Sequence, residues 1–283
     1  GKVVQTVGDF DYSTSLLVQP DEKLVVAGYT RPDGGTNTSA ILRFLPNGDL
    51  DPTFGGTGVV KPTILGADHV ATSISFQSTP PSIIASINSQ QSIIVAKVAT
   101  DGNYSLSSPI DFGETNSDST SLFVQDLGGG SIRYFVSGTA YTGSTRYFAA
   151  LRLDENFAYD NSFDNDGRVK INVGGSQQTA MAAGIASGKY TITGYSSYGN
   201  FPGFPAFSDT VVTRLNYNGS SDSTFDGDGM RVDDLGNFSL ISNTFFQFGP
   251  KTSAFGFTPS GNLIVAGGFI IGQIRALSVA RLT

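Results

Sequence analysis

One spacing recurs along this chain and constrains its fold more than any other feature. An arginine is followed by an aspartate eight residues later, a phenylalanine eleven residues later and a glycine fifteen residues later. The three full copies begin at Arg43, Arg152 and Arg214. The corresponding aspartates are Asp51, Asp160 and Asp222. Internal repetition of this kind indicates a structure built from one supersecondary unit used several times.

Each unit holds four short apolar stretches separated by turn residues. In the first unit these are "STSLLVQ", "KLVVAG", "AILRF" and "GVV", and Asn47-Gly48 is a dipeptide typical of a hairpin turn. A degenerate copy carries Lys97 at the basic position, and the last residues of the chain supply Arg281, which makes five units. We therefore predict an all-β fold, a five-bladed β-propeller with four antiparallel strands per blade.

The two ends of the chain have complementary sequences. The opening "GKVVQTV" is similar to the fourth strand of the first unit, "GVVKPTI", whereas the chain stops just after the third strand of the fifth unit. We expect the N-terminal strand to complete the last blade, so that residues 1–283 form a single propeller domain without an open sheet edge. Because the Asp and Phe of the fifth unit are missing, we also expect neighbouring domains in a longer chain.

The first unit resembles the delta-sixty repeat, a repeat of bacterial secreted and surface proteins. The resemblance is carried by "VQPDEKLVVAG" and by the arginine, Asn-Gly and "LDPTFG" elements that follow it. It implies a surface-associated or secreted propeller and no known enzymatic activity.

Composition removes several classes of function. The net charge is −7 and the pI about 4.6, with no basic stripe, which argues against a nucleic-acid partner. No apolar run is long enough for membrane insertion. With no cysteine and a single histidine, the chain lacks thiolate ligands, a cysteine nucleophile and a histidine zinc cluster. We expect no cofactor and no metal.

An acidic turn, "DNSFDNDGRV" at residues 160–169, has the look of a calcium loop. The first unit has "DPTFGGTGVV" at the same place, without the second and third carboxylates. Calcium needs six or more oxygen ligands, and the carboxylates of this turn are too few. We therefore favour a structural turn in which the side chain of the first aspartate accepts a hydrogen bond from the backbone two residues later.

The repeated basic residue has two interpretations. A ring of charge could bind an anion, but the constant spacing to an aspartate favours an ion pair that ties a strand to its turn. We assign this structural role to six residues: Arg43, Asp51, Arg152, Asp160, Arg214 and Asp222.

Candidate ligand-binding residues lie in the loops that precede the first strand of each blade. Asp11, Asp68, His69 and Asp118 are expected at one rim, and the long loop "SSYGNFPGFPAFSDT" of the fourth unit adds aromatic side chains to it. The aromatic candidates are Tyr198, Phe201, Phe204 and Phe207.

These observations leave three hypotheses about function. The first is a non-catalytic, secreted or cell-surface, lectin-like or adhesive module that binds a glycan or a surface protein through its loop face. The second is a glycosidase that uses carboxylates at the tunnel mouth, although Glu is scarce and Trp absent. The third is a structural spacer within a surface protein.

Overall fold

The computed structural model consists of β-strands joined by short turns. It describes residues 1–64, 68–175, 177–198, 207–233, 251–257, 263–271 and 274–282. Within these residues there is no helix with the length and hydropathy needed to cross a membrane.

The strands form five antiparallel sheets, numbered here in chain order. Sheet 1 contains β1 (Phe10–Val18), β2 (Leu24–Arg31), β3 (Thr38–Phe44) and β4 (Val59–Val60). Sheet 2 contains β5 (His69–Ser78), β6 (Pro81–Ser89), β7 (Ser92–Ala99) and β8 (Tyr104–Leu106). Sheet 3 contains β9 (Asn116–Asp126), β10 (Ile132–Thr142), β11 (Thr145–Asp154) and β12 (Arg168–Ile171).

Sheets 4 and 5 complete the set. Sheet 4 contains β13 (Gln177–Ala186), β14 (Lys189–Tyr198), β15 (Phe207–Leu215) and β16 (Met230–Asp233). Sheet 5 contains β17 (Lys251–Phe257), β18 (Leu263–Ile271) and β19 (Ile274–Leu282). Consecutive strands are neighbours in every sheet, which is the arrangement of a propeller blade.

The chain divides into two compact units. Unit 1 comprises Gly1–Asp111, Asn116–Val136 and Arg152–Ala158, and unit 2 comprises Phe112–Thr115, Ser137–Leu151 and Tyr159–Thr283. Sheets 1 and 2 belong to unit 1, sheets 4 and 5 belong to unit 2, and the residues of sheet 3 are divided between them.

The core of unit 1 is formed by facing side chains of sheets 1 and 2. Alternate residues of β2, Val25 and Ala27, are buried together with Ile83 and Ile87 of β6. Phe54, from the turn after β3, is fully buried in the same cluster. The period-two pattern of these strands therefore separates a buried face from the opposite face.

Unit 2 has aromatic side chains in its core. Phe163 and Tyr190 are fully buried and meet edge to face, with ring centroids 5.8 Å apart. The turn that carries Phe163 is also held by the backbone, because the Asp164 N–H donates to the Asn218 carbonyl at 2.7 Å.

The all-β class predicted from the sequence is confirmed, but the prediction of five four-stranded blades is wrong. The described residues form four blades of four strands, whereas β17, β18 and β19 make a sheet of three. The N-terminal segment does not form the strand expected of it, since residues 1–7 have no β-structure.

The end of the N-terminal segment is bound to a local turn. The Val7 and Gly8 N–H groups donate to the Asp11 carboxylate, at 2.8 and 3.1 Å. Val3 and Val7 line a cavity together with Val26 and Leu42 of sheet 1. Sequence similarity to a fourth strand therefore did not identify the segment's hydrogen-bond partners.

Candidate functional site

Two of the predicted rim carboxylates are engaged by backbone donors. Asp11 accepts the two N–H groups of Val7 and Gly8, and the Asp68 Oδ1 accepts the Asn37 N–H at 2.6 Å. Asp11 therefore holds the segment that precedes β1, and Asp68 holds the loop between β2 and β3, so both carboxylates have a structural role.

The pKa of Asp11 reflects this engagement. Burial acts to raise it, but hydrogen bonds from the Val7 backbone, the Thr30 side chain and the Gly8 backbone outweigh burial and lower the pKa below its ordinary value of 3.8. A general acid near neutral pH needs the opposite shift. Asp11 is thus suited to holding a turn or accepting hydrogen bonds, and not to donating a proton.

His69, expected at the rim, lies beneath it. The side chain is buried, and its Nδ1 accepts the Ser39 N–H at 3.1 Å, which requires an unprotonated Nδ1. Burial lowers the pKa of His69, and the Asp68 charge only partly offsets that effect. The imidazole is therefore a neutral acceptor inside unit 1.

The remaining predicted binding residues are placed only in part. Asp118 lies on β9 and is half-buried. Tyr198 ends β14 and Phe207 begins β15, and the two residues pair across the loop that joins these strands. Phe201 and Phe204 lie outside the described residues, as do the side chains of Tyr198 and Phe207.

The predicted strand-to-turn pairs are present in the first and fourth units. Arg43 Nε donates to Asp51 Oδ2 at 2.9 Å, and Arg214 Nε donates to Asp222 Oδ2 at 2.6 Å. The other oxygen of each aspartate binds a threonine two residues on, through both the backbone N–H and the hydroxyl. The threonines are Thr53 and Thr224.

The third unit keeps the same turn. Arg152 is fully buried, and Asp160 Oδ1 accepts the N–H and hydroxyl of Ser162 at 3.1 and 2.7 Å. Asp166 binds the backbone and guanidinium of Arg168. In the described part of the chain, there is no group of three or more His, Cys, Asp or Glu side chains that could hold a metal ion.

A surface that the sequence pattern did not reveal lies at the end of sheet 1 next to the β2–β3 loop. We call it the aromatic platform; it consists of Phe10, Tyr12, Tyr29 and Arg31. Phe10 pairs with Arg31 and Tyr12 with Tyr29 across β1 and β2, so all four residues share one face. The Tyr12 and Tyr29 rings stack with centroids 4.9 Å apart, and the Arg31 guanidinium lies 5.1 Å from the Phe10 ring centroid.

The platform is open to solvent and borders a cavity. Tyr12 is 50% exposed and Phe10 41% exposed. The cavity has a volume of about 390 Å³ and is lined by Tyr12, Tyr29, Asp11 and apolar residues of β2 and β3. The sequence does contain aromatic residues at alternate positions of β1, Phe10 and Tyr12. Their pairing with Arg31 and Tyr29 becomes visible only once the strand register is known.

One family model matches part of the sequence. It is described as a domain of unknown function (DUF5122) beta-propeller, and it matches residues 19–54, from the β1–β2 turn to Phe54. Comparison with curated proteins gives no match.

Several solved structures resemble the fold at low sequence identity. A thermostable family-43 glycoside hydrolase matches with 10% identity and a TM-score of 0.44, over 98% of this chain and 91% of the hydrolase. A Bombyx mori GH32 β-fructofuranosidase matches with 8% identity and a TM-score of 0.43, over 95% of this chain and 60% of the enzyme. Drosophila Plexin A, solved with Semaphorin 1b, matches with 9% identity and a TM-score of 0.41, over 95% of this chain and 66% of Plexin A. Similarity at this level carries no argument about function.

Proposed function

We propose that this chain is a non-catalytic module of a secreted or cell-surface protein, and that the module binds a glycan. The single observation that carries the proposal is the solvent-open aromatic platform at the loop end of sheet 1, with its stacked Tyr12 and Tyr29 rings. Exposed aromatic clusters mark binding surfaces, because they keep apolar area in water that a ligand can cover.

A sugar suits the platform chemically. The C–H face of a pyranose packs on an aromatic ring, while Tyr also offers a hydroxyl for hydrogen bonding. The Arg31 guanidinium, which shares the platform's face, adds N–H donors that would orient hydroxyl groups of the sugar. A ligand of one or two sugar rings would cover the platform.

The state of the predicted carboxylates supports binding over hydrolysis. Glycoside hydrolysis needs one carboxyl group to donate a proton and a second to act as base or nucleophile. Asp11 and Asp68 already accept backbone N–H groups, and the pKa of Asp11 is lowered. We therefore do not assign them catalytic roles.

A partner protein is the second candidate, favoured by one further observation. Leu16 and Val18 of β1 are 64% and 61% exposed, and they pair with Val26 and Leu24, so they form an apolar strip on the face of sheet 1 opposite the platform. A protein ligand that covered this strip would bury apolar area that a small glycan on the platform leaves in water.

The experiment begins with a glycan array on the purified chain, and then measures affinity for the best glycan by calorimetry. We expect Tyr12→Ala to weaken binding about tenfold or more, and Tyr12→Phe, which keeps the ring, to weaken it much less. Tyr217→Ala is the matched control, because Tyr217 is exposed but lies outside the platform. Glycan binding unchanged in Tyr12→Ala would contradict the assignment, and an array without hits would favour the protein ligand or the spacer.

The proposal also covers the aromatic loop of the fourth unit and the type of repeat. We propose that Tyr198, Phe201, Phe204 and Phe207 form a separate ligand contact in unit 2, that Asp118 contributes a hydrogen-bond acceptor in unit 1, and that the repeats are of the delta-sixty type. The match at residues 19–54 supports the latter, because it spans the same "QPD" to "PTF" elements. Shortening the loop from 201 to 206 without loss of glycan affinity would remove the second contact.

A further inference from the structure

A buried acceptor in sheet 1 has no partner. Gln19, directly after β1, is 7% exposed, and its Oε1 receives no hydrogen bond from any described residue. A buried polar atom in this state costs free energy, because it has given up hydrogen bonds to water without replacing them. A ligand that donates one hydrogen bond to this oxygen would remove that cost.

The next sheet contains the same glutamine in a satisfied state. Gln77 follows "ATSISF" as Gln19 follows "STSLLV". The Tyr134 hydroxyl donates to Gln77 Oε1 at 2.7 Å, and both side chains are buried. The partner of this glutamine is thus a phenol supplied by the following sheet.

The residue equivalent to Tyr134 explains why Gln19 lacks such a partner. Tyr134 stands four residues before Gly138, as Leu24 stands before Gly28. In sheet 2 the residue equivalent to Tyr134 is Ile83. Ile83 pairs with Phe76, the residue before Gln77. In the same way, Leu24 pairs with Val18, the residue before Gln19. Ile83 packs in the core between sheets 1 and 2, so it faces sheet 1. An isoleucine has no hydroxyl to donate to Gln19.

A cavity lies beside Gln19. Its volume is about 520 Å³, within the usual range of roughly 300–1,000 Å³ for small-molecule sites, and Phe76, Pro20 and Pro81 provide apolar walls. The charges in its wall are paired: Arg43 binds Asp51, and Lys23 lies 3.2 Å from Asp21 and 3.4 Å from Asp51. A neutral ligand therefore fits better than a charged one, because it leaves these pairs intact.

We infer that the cavity beside Gln19 is a binding site for a small phenolic ligand. The ring lies against Phe76 and the prolines, and the hydroxyl donates to Gln19 Oε1 as the Tyr134 hydroxyl donates to Gln77. The site does not depend on the aromatic platform, since the two cavities share no lining residue.

The first experiment compares p-cresol, which is the side chain of tyrosine, with toluene, which lacks the hydroxyl. Binding is followed by protein-observed NMR, through the Gln19 side-chain amide and the Ile83 methyl groups. We expect p-cresol to bind about tenfold more tightly than toluene, because only p-cresol provides the hydrogen bond. Equal binding of the two compounds, or no shift at Gln19, would overturn the proposal and leave at most a bound water there.

Two variants then test the geometry. Ile83→Tyr places a ring and hydroxyl where Tyr134 has them, and we expect it to abolish p-cresol binding. Gln19→Met keeps the side-chain length but removes the acceptor, so p-cresol should lose its advantage over toluene. If Ile83→Tyr does not fold, the test rests on whether Gln19→Met loses the preference for p-cresol over toluene. Full p-cresol binding in a folded Ile83→Tyr variant, or an undiminished preference in Gln19→Met, would contradict the site.

A further arm distinguishes free phenols from tyrosine side chains. N-acetyltyrosinamide carries the same phenol on a backbone-like group. If it binds as p-cresol does, the cavity accepts a tyrosine of a peptide; if only p-cresol binds, the ligand is a free small phenol.

Discussion

Arg43 and Asp51 form an ion pair inside unit 1, with 2.9 Å between Nε and Oδ2 and side chains that are 3% and 2% exposed. The guanidinium also lies 4.6 Å from the centre of the Phe54 ring and donates to the Thr53 hydroxyl. One arginine therefore joins β3 to each of the repeated residues in the following turn. Arg214 makes the corresponding contacts in unit 2, but its side chain is 31% exposed.

Removal of Arg43 should destabilise the protein more than removal of Arg214. Arg43→Ala leaves the buried Asp51 carboxylate with its Thr53 hydrogen bonds and with Lys23 as a neighbouring cation, and breaking a buried pair in this way costs about 3–5 kcal/mol. Arg214→Ala should cost less, because water reaches the Arg214 side chain. Urea unfolding of both variants measures the difference, and an equal loss would show that burial does not set the strength of these pairs.

Stability should fall with acid as the turn aspartates are protonated. Burial acts to raise the pKa of Asp51, but hydrogen bonds from Thr53 and the charge of Arg43 outweigh it and lower the pKa from 3.8 to about 2. Asp222 has a pKa of about 2 for the same reasons, with Thr224 and Arg214. Because the unfolded chain binds protons first, this stability is present above about pH 5 and is lost as the pH falls towards 2.

Thr53→Val tests the source of the low pKa. The hydroxyl is removed while the shape is nearly kept, so the pKa of Asp51 should rise and unfolding should begin at a higher pH. Thr224→Val is the matched variant for Asp222. Acid unfolding followed by circular dichroism checks both, and an unchanged acid midpoint in both would assign the low pKa values to the cations and the backbone N–H groups instead of the hydroxyls.

His69 should remain neutral in the folded protein below the pH at which a free histidine is protonated. Its folded pKa lies below 6.5 because burial disfavours the imidazolium. Above pH 6.5 the ring adds no pH dependence; below it, the unfolded state gains a proton that the folded state does not, so the free energy of unfolding falls.

The single histidine makes this measurement direct, since NMR titration has one imidazole to follow. His69→Asn keeps an acceptor near Nδ1 for the Ser39 N–H but does not titrate. We expect the difference in stability between wild type and His69→Asn to change as the pH falls below about 6.5. An imidazole pKa at or above 6.5 would refute its buried position.

Gly28→Ala should disrupt sheet 1 beneath the aromatic platform. A Cβ on Gly28 would lie 1.9 Å from the Tyr12 carbonyl oxygen and 2.9 Å from the Ser13 Cα, which are backbone atoms that cannot move aside alone. We expect a loss of about 2 kcal/mol or more, together with weaker glycan binding. Gly256→Ala on β17 is the control, because a Cβ there meets no atom of the described residues within 4 Å. Thermal unfolding compares the two, and similar melting temperatures would contradict the close approach at Gly28.

The repeat spacing was enough to predict much of the fold. An arginine and an aspartate eight residues apart can meet only if the strand and its turn are arranged as Arg43 and Asp51 are, and the Asx turn through Thr53 follows from local chemistry. The alternation of apolar residues likewise predicts which side of β2 is buried. These features depend on neighbours within one hairpin or turn.

The blade count and the candidate site could not be predicted in the same way. Residues 1–7 look like a fourth strand, but they have no β-structure, and the Val7 N–H at their end binds Asp11. Asp68 and His69 look like rim ligands, but they bind Asn37 and Ser39, which are far away in the sequence. A motif records which residues are present and does not record which long-range donors they meet.

The sequence by itself determined the all-β class, the blade unit and the arginine–aspartate pairs, because strand periodicity and turn chemistry act over a few residues. Only the tertiary structure decided that Tyr12 stacks on Tyr29, and that Gln19 faces a cavity where Gln77 meets Tyr134. Both depend on strand register and on which side chain the adjoining sheet presents, and these are set by packing between segments that are distant in the chain.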